Sequence, residues 1–540
     1  MPHPKYLLVS ACFCLLTFAS AAQGTKPARC SAQPPQPPTD ASRAYAAGDA
    51  TRAESLYKAQ LATIGTYPAF AGLVAAQLQQ NNLPEALTTA QHAASALPTS
   101  AEAQALVGDV YFRSGQIAEA SEAYTRASEL NPCSSRAQYG VGRLAVLTSH
   151  HAIAAQRLAY AHGLAPADPE IAEAYFEILP DAQRVIGLHA LLNSHPELPP
   201  DDLARVASEV AILDAHKTCT PVESPTTASL TLAPLMFSGR YERNWGLNVR
   251  LNSATELLEL DTSVSGIVLS PHDAERAGVH PLDATPVTPG TPYLGVADHI
   301  QIGKLTYRDC PVRVVPASAL ADSNSLIGTN FFRDRLIHID YVAQAVTLNP
   351  YPDRPAGADQ FVPEGEKDWS PIYLSRDRIL VPTLINKQGP YLFLLDSGIE
   401  KTVVSPAVTH NVLLASTDAT LSLYGVSGDF VKFIPRDGGG DVFITDITDP
   451  NGQRLHVTSP IKEPVYRFTH NEIGELSAIS FDIAPASHAA GTEISGLMGF
   501  DLLHRYFLDI NYRDGLARIL FDQNRLYDTH MRDRTGTAGN

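Results

Sequence analysis

Two short turns carry side chains that could do acid–base chemistry. One is Asp261–Ser263, where Asp is followed by Thr and Ser, and the other is Asp396–Gly398, where Asp is followed by Ser and Gly. Two carboxyl groups held close together cannot both ionise, because the charge on one raises the pKa of the other. Such a pair can act jointly as general acid and general base on a water molecule. A single Asp beside a hydroxyl most often makes only a side-chain turn, so this chemistry requires both copies.

The two turns belong to a duplicated unit. Each follows an apolar run and precedes a second apolar run that ends in Ser-Pro, and the two Asp residues lie 135 positions apart. Further along, Leu326–Gly328 and Leu497–Gly499 share an apolar-apolar-Gly pattern at an offset of 171 positions. Residues 230–525 therefore form two copies of one unit, and the second copy has 36 additional residues between its Asp turn and its glycine segment.

The elements that would position these turns are strands. Leu247–Leu251 alternates apolar and polar residues before the turn Asn252–Ser253, and Ile379–Ile385 opens the second copy in the same way before Asn386–Gly389. Alternation with a period of two is typical of a half-buried strand. This half of the chain is therefore predicted to be all β.

The preceding part of the chain has a helical pattern that repeats. Three blocks of 34 residues, Tyr67–Ser100, Ala101–Ser134 and Ser135–Asp168, carry small or apolar residues at matching positions, such as Gly108 and Gly142. Small residues allow two helices to approach closely. The period and the residue types resemble the tetratricopeptide repeat, which implies an α-helical solenoid for protein–protein interaction, closed by a helical cap over residues 169–215. The protein that binds the repeats is not identified by the sequence.

The β half resembles a known enzyme family. Its paired Asp-hydroxyl turns and paired apolar-apolar-Gly segments are similar to those of the aspartic proteases of the pepsin and retroviral type. The resemblance implies two lobes that close around a cleft, each supplying one Asp. It implies that Asp261 and Asp396 jointly activate a water that hydrolyses a peptide or protein substrate, with no cofactor and no metal.

The resemblance also assigns supporting roles. Thr262 and Ser397 match the hydroxyl position that ties one Asp loop to the other. Gly398 matches the glycine that lets backbone N–H groups approach the carboxyls. Gly328 and Gly499 belong to the segments that pack under the Asp loops.

Ser263 departs from the family pattern, which has Gly at this position. Its hydroxyl could itself bond to Asp261, and the departure favours a catalytically inactive site. Tyr293 and Tyr424 are candidates for the flap that covers the substrate. For each tyrosine, an ordinary hairpin tip is the alternative.

Composition excludes one class of partner. The chain has 540 residues, a formal net charge of −17 and a pI of about 5.5. Nucleic-acid binding rests on clustered Lys and Arg, so a nucleic acid is not the expected partner.

The N-terminus predicts export. In residues 1–22, Lys5 precedes the apolar run Tyr6–Phe18, and small residues surround a cleavage site near Ala21 and Ala22. This is the pattern of a signal peptide, and no later stretch is apolar enough for a membrane span. The mature protein is therefore expected in the periplasm or outside the cell.

Cleavage would leave four cysteines, Cys30, Cys133, Cys219 and Cys310. In an oxidising compartment they can form two bridges, and the sequence leaves all three connectivities open. None lies in a C-x-x-C pair, so zinc is not indicated.

The resulting organisation has eight segments: signal peptide 1–22, Pro-rich tether 23–40, repeat solenoid with cap 41–215, linker 216–229, first lobe 230–350, inter-lobe linker 351–372, second lobe 373–525 and polar tail 526–540. Two functions remain open. The first is an exported aspartic-type endopeptidase with a repeat domain for protein–protein interaction. The alternative is a catalytically inactive scaffold that binds a peptide or a protein. The short inter-lobe linker favours closure of the two lobes on each other rather than on a second chain.

Overall fold

The computed structural model describes most of residues 30–521. The segments outside the description are 33–36, 195–197, 199, 238–240, 284–286, 289, 321–323, 363–367, 400–401, 474–477, 481–482 and most of 412–464, where only short strands are given. The predicted signal peptide and polar tail also lie outside the described residues.

The N-terminal region is a series of antiparallel helix pairs. The helices are α1 (Asp40–Ala46), α2 (Ala50–Thr63), α3 (Tyr67–Gln79), α4 (Leu83–Ala96), α5 (Ala101–Arg113), α6 (Ile117–Leu130), α7 (Ser135–Leu147), α8 (His151–Leu164), α9 (Pro169–Glu177), α10 (Asp181–Ser194) and α11 (Pro200–Asp214).

The 34-residue period of the sequence reflects close packing between the two helices of each repeat. A Cβ added at Gly108 would lie 2.6 Å from the Tyr124 ring, and one added at Gly142 would lie 2.7 Å from the Leu158 side chain. These two contacts are equivalent and one repeat apart, and in each the glycine of the first helix admits a large side chain of the second. The starts of α5 and α7 are also equivalent, because a serine one residue before each helix caps it through its side chain. The predicted helical solenoid is confirmed.

The first lobe follows and is built mostly from antiparallel strands, and its first strand, Thr220–Glu223, lies inside the predicted linker 216–229. Its elements are β1 (Thr220–Glu223), β2 (Ala228–Phe237), β3 (Tyr241–Leu251), β4 (Ala254–Asp261), β5 (Ile267–Leu269), α12 (Pro271–Arg276), β6 (His280–Pro281), β7 (Tyr293–Ile302), β8 (Leu305–Val314), β9 (Leu326–Gly328), β10 (Leu336–Asp340) and β11 (Ala345–Asn349).

The second lobe repeats this plan. Its elements are β12 (Ser370–Pro371), β13 (Tyr373–Ser375), β14 (Arg378–Ile385), β15 (Gln388–Leu395), β16 (Val403–Val404), α13 (Pro406–Asn411), β17 (Thr417–Asp418), β18 (Leu423–Tyr424), β19 (Lys432–Phe433), β20 (Ile447–Thr448), β21 (Arg454–Leu455), β22 (Thr458–Ile461), β23 (Tyr466–Phe468), β24 (Asn471–Ile473), β25 (Ala478–Ser480), α14 (Ala484–Ala490), β26 (Gly496–Met498), α15 (Phe500–Leu503), β27 (Tyr506–Asn511) and β28 (Leu516–Phe521).

One sheet joins the two lobes. Its strand order runs β12-β28-β27-β10-β11-β2, and its centre is the antiparallel pair β10 and β27, one strand from each copy. Ile337 faces Ile510 and Ile339 faces Leu508 across this pair. Because these side chains are fully buried, the two copies share one apolar core and close on each other within one chain.

Each Asp turn is held by the same strand arrangement. In the first lobe β4 runs parallel to β9, and β9 also pairs with β5, the strand that leaves the turn. In the second lobe β15, β26 and β16 repeat this arrangement. The glycine segment of each copy therefore lies between the strands that enter and leave its Asp turn.

The helical region packs against the second lobe. One buried apolar cluster contains Phe112 and Ile117 of the helical region together with Leu392, Leu394 and Leu497 of the lobe. Two hydrogen bonds reinforce it: the Glu493 N–H donates to Arg113 O at 2.8 Å, and the Thr492 hydroxyl donates to Phe112 O at 2.7 Å. The outer face of the strands that carry and support Asp396 is thus covered by helices.

The inter-lobe linker makes a second contact with the helical region. The Asp359 carboxylate accepts hydrogen bonds from the N–H groups of Ala152 and Ile153 in the first turn of α8. A carboxylate at a helix N-terminus accepts hydrogen bonds from backbone N–H groups that have no partner within the helix. It also interacts favourably with the positive end of the helix dipole. The linker therefore fastens the repeats to the β region.

The four cysteines form two disulfide bonds, Cys30–Cys133 and Cys219–Cys310. The first attaches the N-terminal segment to the loop between α6 and α7, and the second attaches β1 to β8. Across the described part of the chain, neither a metal-binding group of three or more His, Cys, Asp or Glu side chains nor a helix suited to crossing a membrane is present.

Candidate active site

Asp261 and Asp396 stand at equivalent places, at or just past the C-terminal ends of β4 and β15. Each strand is increasingly buried towards its Asp, and only 2% of Asp261 and 6% of Asp396 is exposed. Water therefore solvates neither carboxyl fully, and their ionisation depends on local donors and on each other.

The two Asp loops are locked together by Thr262 and Ser397. The Thr262 hydroxyl donates to Leu395 O at 2.7 Å and accepts from the Ser397 N–H at 3.0 Å. The Ser397 hydroxyl reciprocates, donating to Leu260 O at 2.9 Å and accepting from the Thr262 N–H at 3.1 Å. Four buried hydrogen bonds thus cross the boundary between the lobes immediately beside the two carboxyls. The family resemblance predicts this tie.

Gly398 contacts both carboxyl groups. Its N–H donates to Asp396 Oδ1 at 3.2 Å, and a Cβ added to it would lie 2.2 Å from Asp261 Oδ2. The carboxyl of the opposite lobe thus occupies the space where any side chain at position 398 would begin. The structure brings Asp261 and Asp396 together across one glycine.

The ionisation of the pair is strongly perturbed. Burial and, after it, the neighbouring charge of Asp396 together raise the pKa of Asp261 to about 7, against the hydrogen bonds from Ser263 that lower it. Burial likewise raises the pKa of Asp396 to about 6, against the hydrogen bonds from Ser263 and from the N–H of Gly398. Because the two groups interact, these values describe the pair. Near neutral pH the pair can hold one proton, as general acid–base chemistry on a water requires.

Ser263 makes the two lobes unequal. Its N–H and its hydroxyl both donate to Asp261 Oδ1, at 2.7 and 2.8 Å. Its hydroxyl also forms a hydrogen bond that lowers the pKa of Asp396. A serine is therefore accommodated where the family has glycine, and its hydroxyl reaches both carboxyls. The predicted bond to Asp261 is present.

Gly328 and Gly499 lie under the Asp loops. A Cβ at Gly328 would lie 2.0 Å from Val264 O, and the Gly499 N–H donates to the Thr402 hydroxyl at 3.2 Å. Beside them are two polar residues that belong to no sequence motif. Asn330 Oδ1 accepts from the Gly266 N–H, and Asp501 Oδ1 accepts from the Thr402 N–H. Asn330 and Asp501 are 171 positions apart, so extending the repeat offset finds this pair.

The same offset reveals two tyrosines that cross between the lobes. Tyr341 of the first copy packs edge-to-face on Phe500 with ring centroids 5.2 Å apart. Tyr512 of the second copy shares a 2.8 Å hydrogen bond between its hydroxyl and that of Thr329. These contacts are made by equivalent positions of the two copies, and they link the two lobes to each other.

The two flap candidates are placed differently. Tyr293 is the first residue of β7 and pairs with Val314 of β8, and its partly buried ring packs against the apolar core that the two lobes share. None of its described contacts is with Asp261 or Asp396. The backbone of Tyr424 lies in β18, paired with Lys432, while its side chain and the following glycines lie outside the described residues. A flap role for either tyrosine stays a prediction.

Replacing Gly398 by Ala tests the closeness of the carboxyls. The added methyl group must displace Asp261 Oδ2, so we expect a loss of about 1–3 kcal/mol in the free energy of unfolding. Any peptide cleavage should fall at least roughly tenfold, because the dyad is displaced. Gly163→Ala is the control, since a Cβ at Gly163 meets nothing within 4 Å. Denaturant titration of both variants measures the difference, and equal stabilities would contradict the geometry.

Comparison with known proteins finds a match within the first lobe. Residues 247–331 match the family model described as aspartyl protease. The matched segment contains the first Asp turn and Gly328. A search of the curated proteins finds no match to this chain. The chain thus combines a tetratricopeptide-repeat-like helical region with an aspartyl-protease-like β region.

Several solved structures of repeat proteins are similar to part of the chain. A thermophilic TPR protein of Thermus thermophilus is 20% identical and covers 32% of this chain and 95% of its own length, with a TM-score of 0.27. MamA is 18% identical over 30% of this chain and 98% of its own, with a TM-score of 0.21. YrrB, described as a TPR protein with an unusual peptide-binding site, is 17% identical over 30% and 83%, with a TM-score of 0.21. These scores are low, and the repeat assignment rests on the helix pairs described above.

Proposed function

We propose that this protein is an exported aspartic-type endopeptidase, with Asp261 and Asp396 as its catalytic residues. The observation that carries the proposal is the contact of both buried carboxyls with Gly398, within loops locked by Thr262 and Ser397. This geometry supports a single shared proton. One carboxylate takes a proton from a bound water as that water attacks the peptide carbon, and the protonated partner donates to the carbonyl oxygen.

The alternative is a catalytically inactive scaffold that binds a peptide. Ser263 is the observation that favours it, because its hydroxyl reaches both carboxyls and can compete with a water for them. The two functions differ in turnover, since a scaffold would bind peptides without cleaving them.

The deciding experiment uses the full mature chain with a mixed peptide library between pH 3 and 8, followed by mass spectrometry. An endopeptidase gives internal cuts that disappear in both Asp261→Asn and Asp396→Asn. If the wild-type chain retains intact peptides and cuts none of them, the scaffold function replaces the proposed one.

Export and a partner for the repeats are part of the proposal. Two disulfide bonds support an oxidising compartment, in line with the signal-peptide pattern of residues 1–22. The repeats would recruit a protein partner or the substrate, as helical solenoids do through their extended surfaces.

The raised pKa values predict a pH-dependent stability even without turnover. A carboxyl whose pKa is higher in the folded than in the unfolded chain binds its proton more tightly when folded. Its contribution to stability is full below about pH 4. That contribution is lost as the pH rises through about 6 to 7, where Asp261 and Asp396 titrate.

We therefore expect the wild-type melting temperature to fall over this range relative to an Asp261→Asn, Asp396→Asn double variant. Thermal unfolding of the two chains in matched buffers gives the difference between their melting temperatures at each pH. Groups that titrate alike in both chains cancel in this difference. A constant difference from pH 4 to 8 would show that the pair has ordinary pKa values.

A further inference from the structure

Asn244, on β3 of the first lobe, is buried close to the second Asp loop. It is 2% exposed, and its Nδ2 donates both to Glu259 Oε1, at 2.6 Å, and to the main-chain oxygen of Ser397, at 2.5 Å. Its Oδ1 accepts from the Trp245 N–H at 2.8 Å. The amide has two N–H donors, and both have partners, so its orientation is fixed by three hydrogen bonds.

The main-chain oxygen that Asn244 binds belongs to the peptide unit whose N–H donates to Asp396. The carbonyl of Ser397 and the N–H of Gly398 lie in the same planar peptide, and in a trans peptide they point in opposite directions. That N–H is the donor to Asp396 Oδ1. Holding the carbonyl at one end of the plane therefore aims the N–H at the carboxyl on the other side.

We propose that Asn244 is a positioning residue of the dyad, which acts across the lobe boundary by orienting the Ser397–Gly398 peptide. The inference deepens the proposed function and rests on it for its kinetic consequence. Through this peptide, the hydrogen bonding of Asp396 depends on a first-lobe residue in addition to the bonds between Thr262 and Ser397. The hydrogen bond to Glu259 holds the Asn244 amide within the first lobe. Glu259 is 1% exposed and also accepts a hydrogen bond from Asn324 Nδ2 at 3.4 Å.

The titratable groups around this peptide determine whether replacing Asn244 raises or lowers the pKa of the dyad. They are the carboxyls of Asp261 and Asp396, the carboxyl of Glu259, whose charge raises the pKa of Asp396, and the hydroxyl of Tyr341, which faces Ser397. The Gly398 N–H acts in the opposite sense to the Glu259 charge, because it stabilises the charged carboxylate. Replacing Asn244 should misalign that N–H and so raise the pKa of the pair Asp261 and Asp396.

The test compares Asn244→Ala with Asn511→Ala in the full chain. Asn511 is a matched control, since it is also buried and bonded through both ends of its amide, to Asp514 in the turn between β27 and β28. In Asn244→Ala we expect the pH profile of kcat to move upward by roughly half a unit or more. We expect kcat to fall roughly 10- to 100-fold, with KM little changed. Asn511→Ala should lose stability without either change.

A second readout does not depend on turnover. The melting temperature of each chain is compared with that of the same chain carrying Asp396→Asn, from pH 4 to 8, so that the difference reports the titration of the dyad. In the Asn244→Ala background the change in this difference should move to higher pH. Asn244→Ser, a smaller change, should move it in the same direction if the alanine variant does not fold.

The outcomes separate the two hypotheses. If the wild-type chain cleaves no peptide but the unfolding difference shifts in the Asn244 variants, the proposed function fails while the positioning role stands. If the Asn244 and Asn511 variants lose stability with unshifted pH dependence, Asn244 is an ordinary core hydrogen-bonding residue and the inference is overturned.

Discussion

Replacing either Asp261 or Asp396 by Asn is expected to lower peptide cleavage by roughly 10²- to 10⁴-fold, the range that a positioned general acid or base contributes. The two losses should be similar and far from additive in the double variant, because the carboxyls act as one unit. Melting temperatures at neutral pH should be unchanged or higher, since each substitution relieves a buried pair whose full ionisation is unfavourable. Initial rates on one cleaved peptide, measured for all four chains, give the result.

The control is a carboxyl outside the dyad. Asp298 is exposed on β7 and pairs with His280, so Asp298→Asn should retain full activity. If Asp261→Asn loses activity while Asp396→Asn remains as active as Asp298→Asn, a shared proton is not the basis of catalysis.

Phe112→Ala is expected to give the largest loss of stability, about 3–5 kcal/mol, the cost of deleting a buried aromatic side chain. Phe112 lies in the cluster that joins the helices to Leu394, two residues before Asp396, and to Ile399, directly after Gly398. The cavity would therefore loosen the second Asp loop as well as the helices. We expect reduced cleavage in addition to the lower unfolding free energy.

Phe70→Ala is the matched comparison. Phe70 is also buried but packs in a cluster made only of helical residues. Its replacement should cost a similar free energy of unfolding while leaving the rate of cleavage by the remaining folded protein unchanged. Equal effects of the two variants on that rate would show that the helical region does not support the active-site loop.

Much of the fold is predictable because it depends on local repetition. The 34-residue period is readable since Gly108 and Gly142 are required by the close approach of their partner helices. The duplicated β unit is readable since each Asp turn needs the same apolar strands and the same glycine segment. The tie between Thr262 and Ser397 follows from the family resemblance.

Other features are invisible in the sequence because they depend on tertiary packing. Leu392 and Leu394 have the pattern of any buried strand, and only the folded chain shows that helices cover them. Asn244 binds Ser397 across 153 positions without a motif. The disulfide pairing likewise depends on which cysteines the fold brings together, Cys30 with Cys133 and Cys219 with Cys310. By contrast, the pair Asn330 and Asp501 is visible at the 171-residue offset but belongs to no motif of known chemistry.

The central claim is that Asp261 and Asp396 share one proton, and a carboxyl titration by NMR tests it most directly. The full chain is labelled with ¹³C at the Asp carboxyl carbons, and spectra of the wild type and Asp396→Asn are compared from pH 3 to 9. If the two carboxyls share a proton, Asp261 titrates well above pH 4 in the wild type. Its titration should move to lower pH in Asp396→Asn, because the neighbouring negative charge is gone. An Asp261 titration that is identical in the two chains would contradict the account.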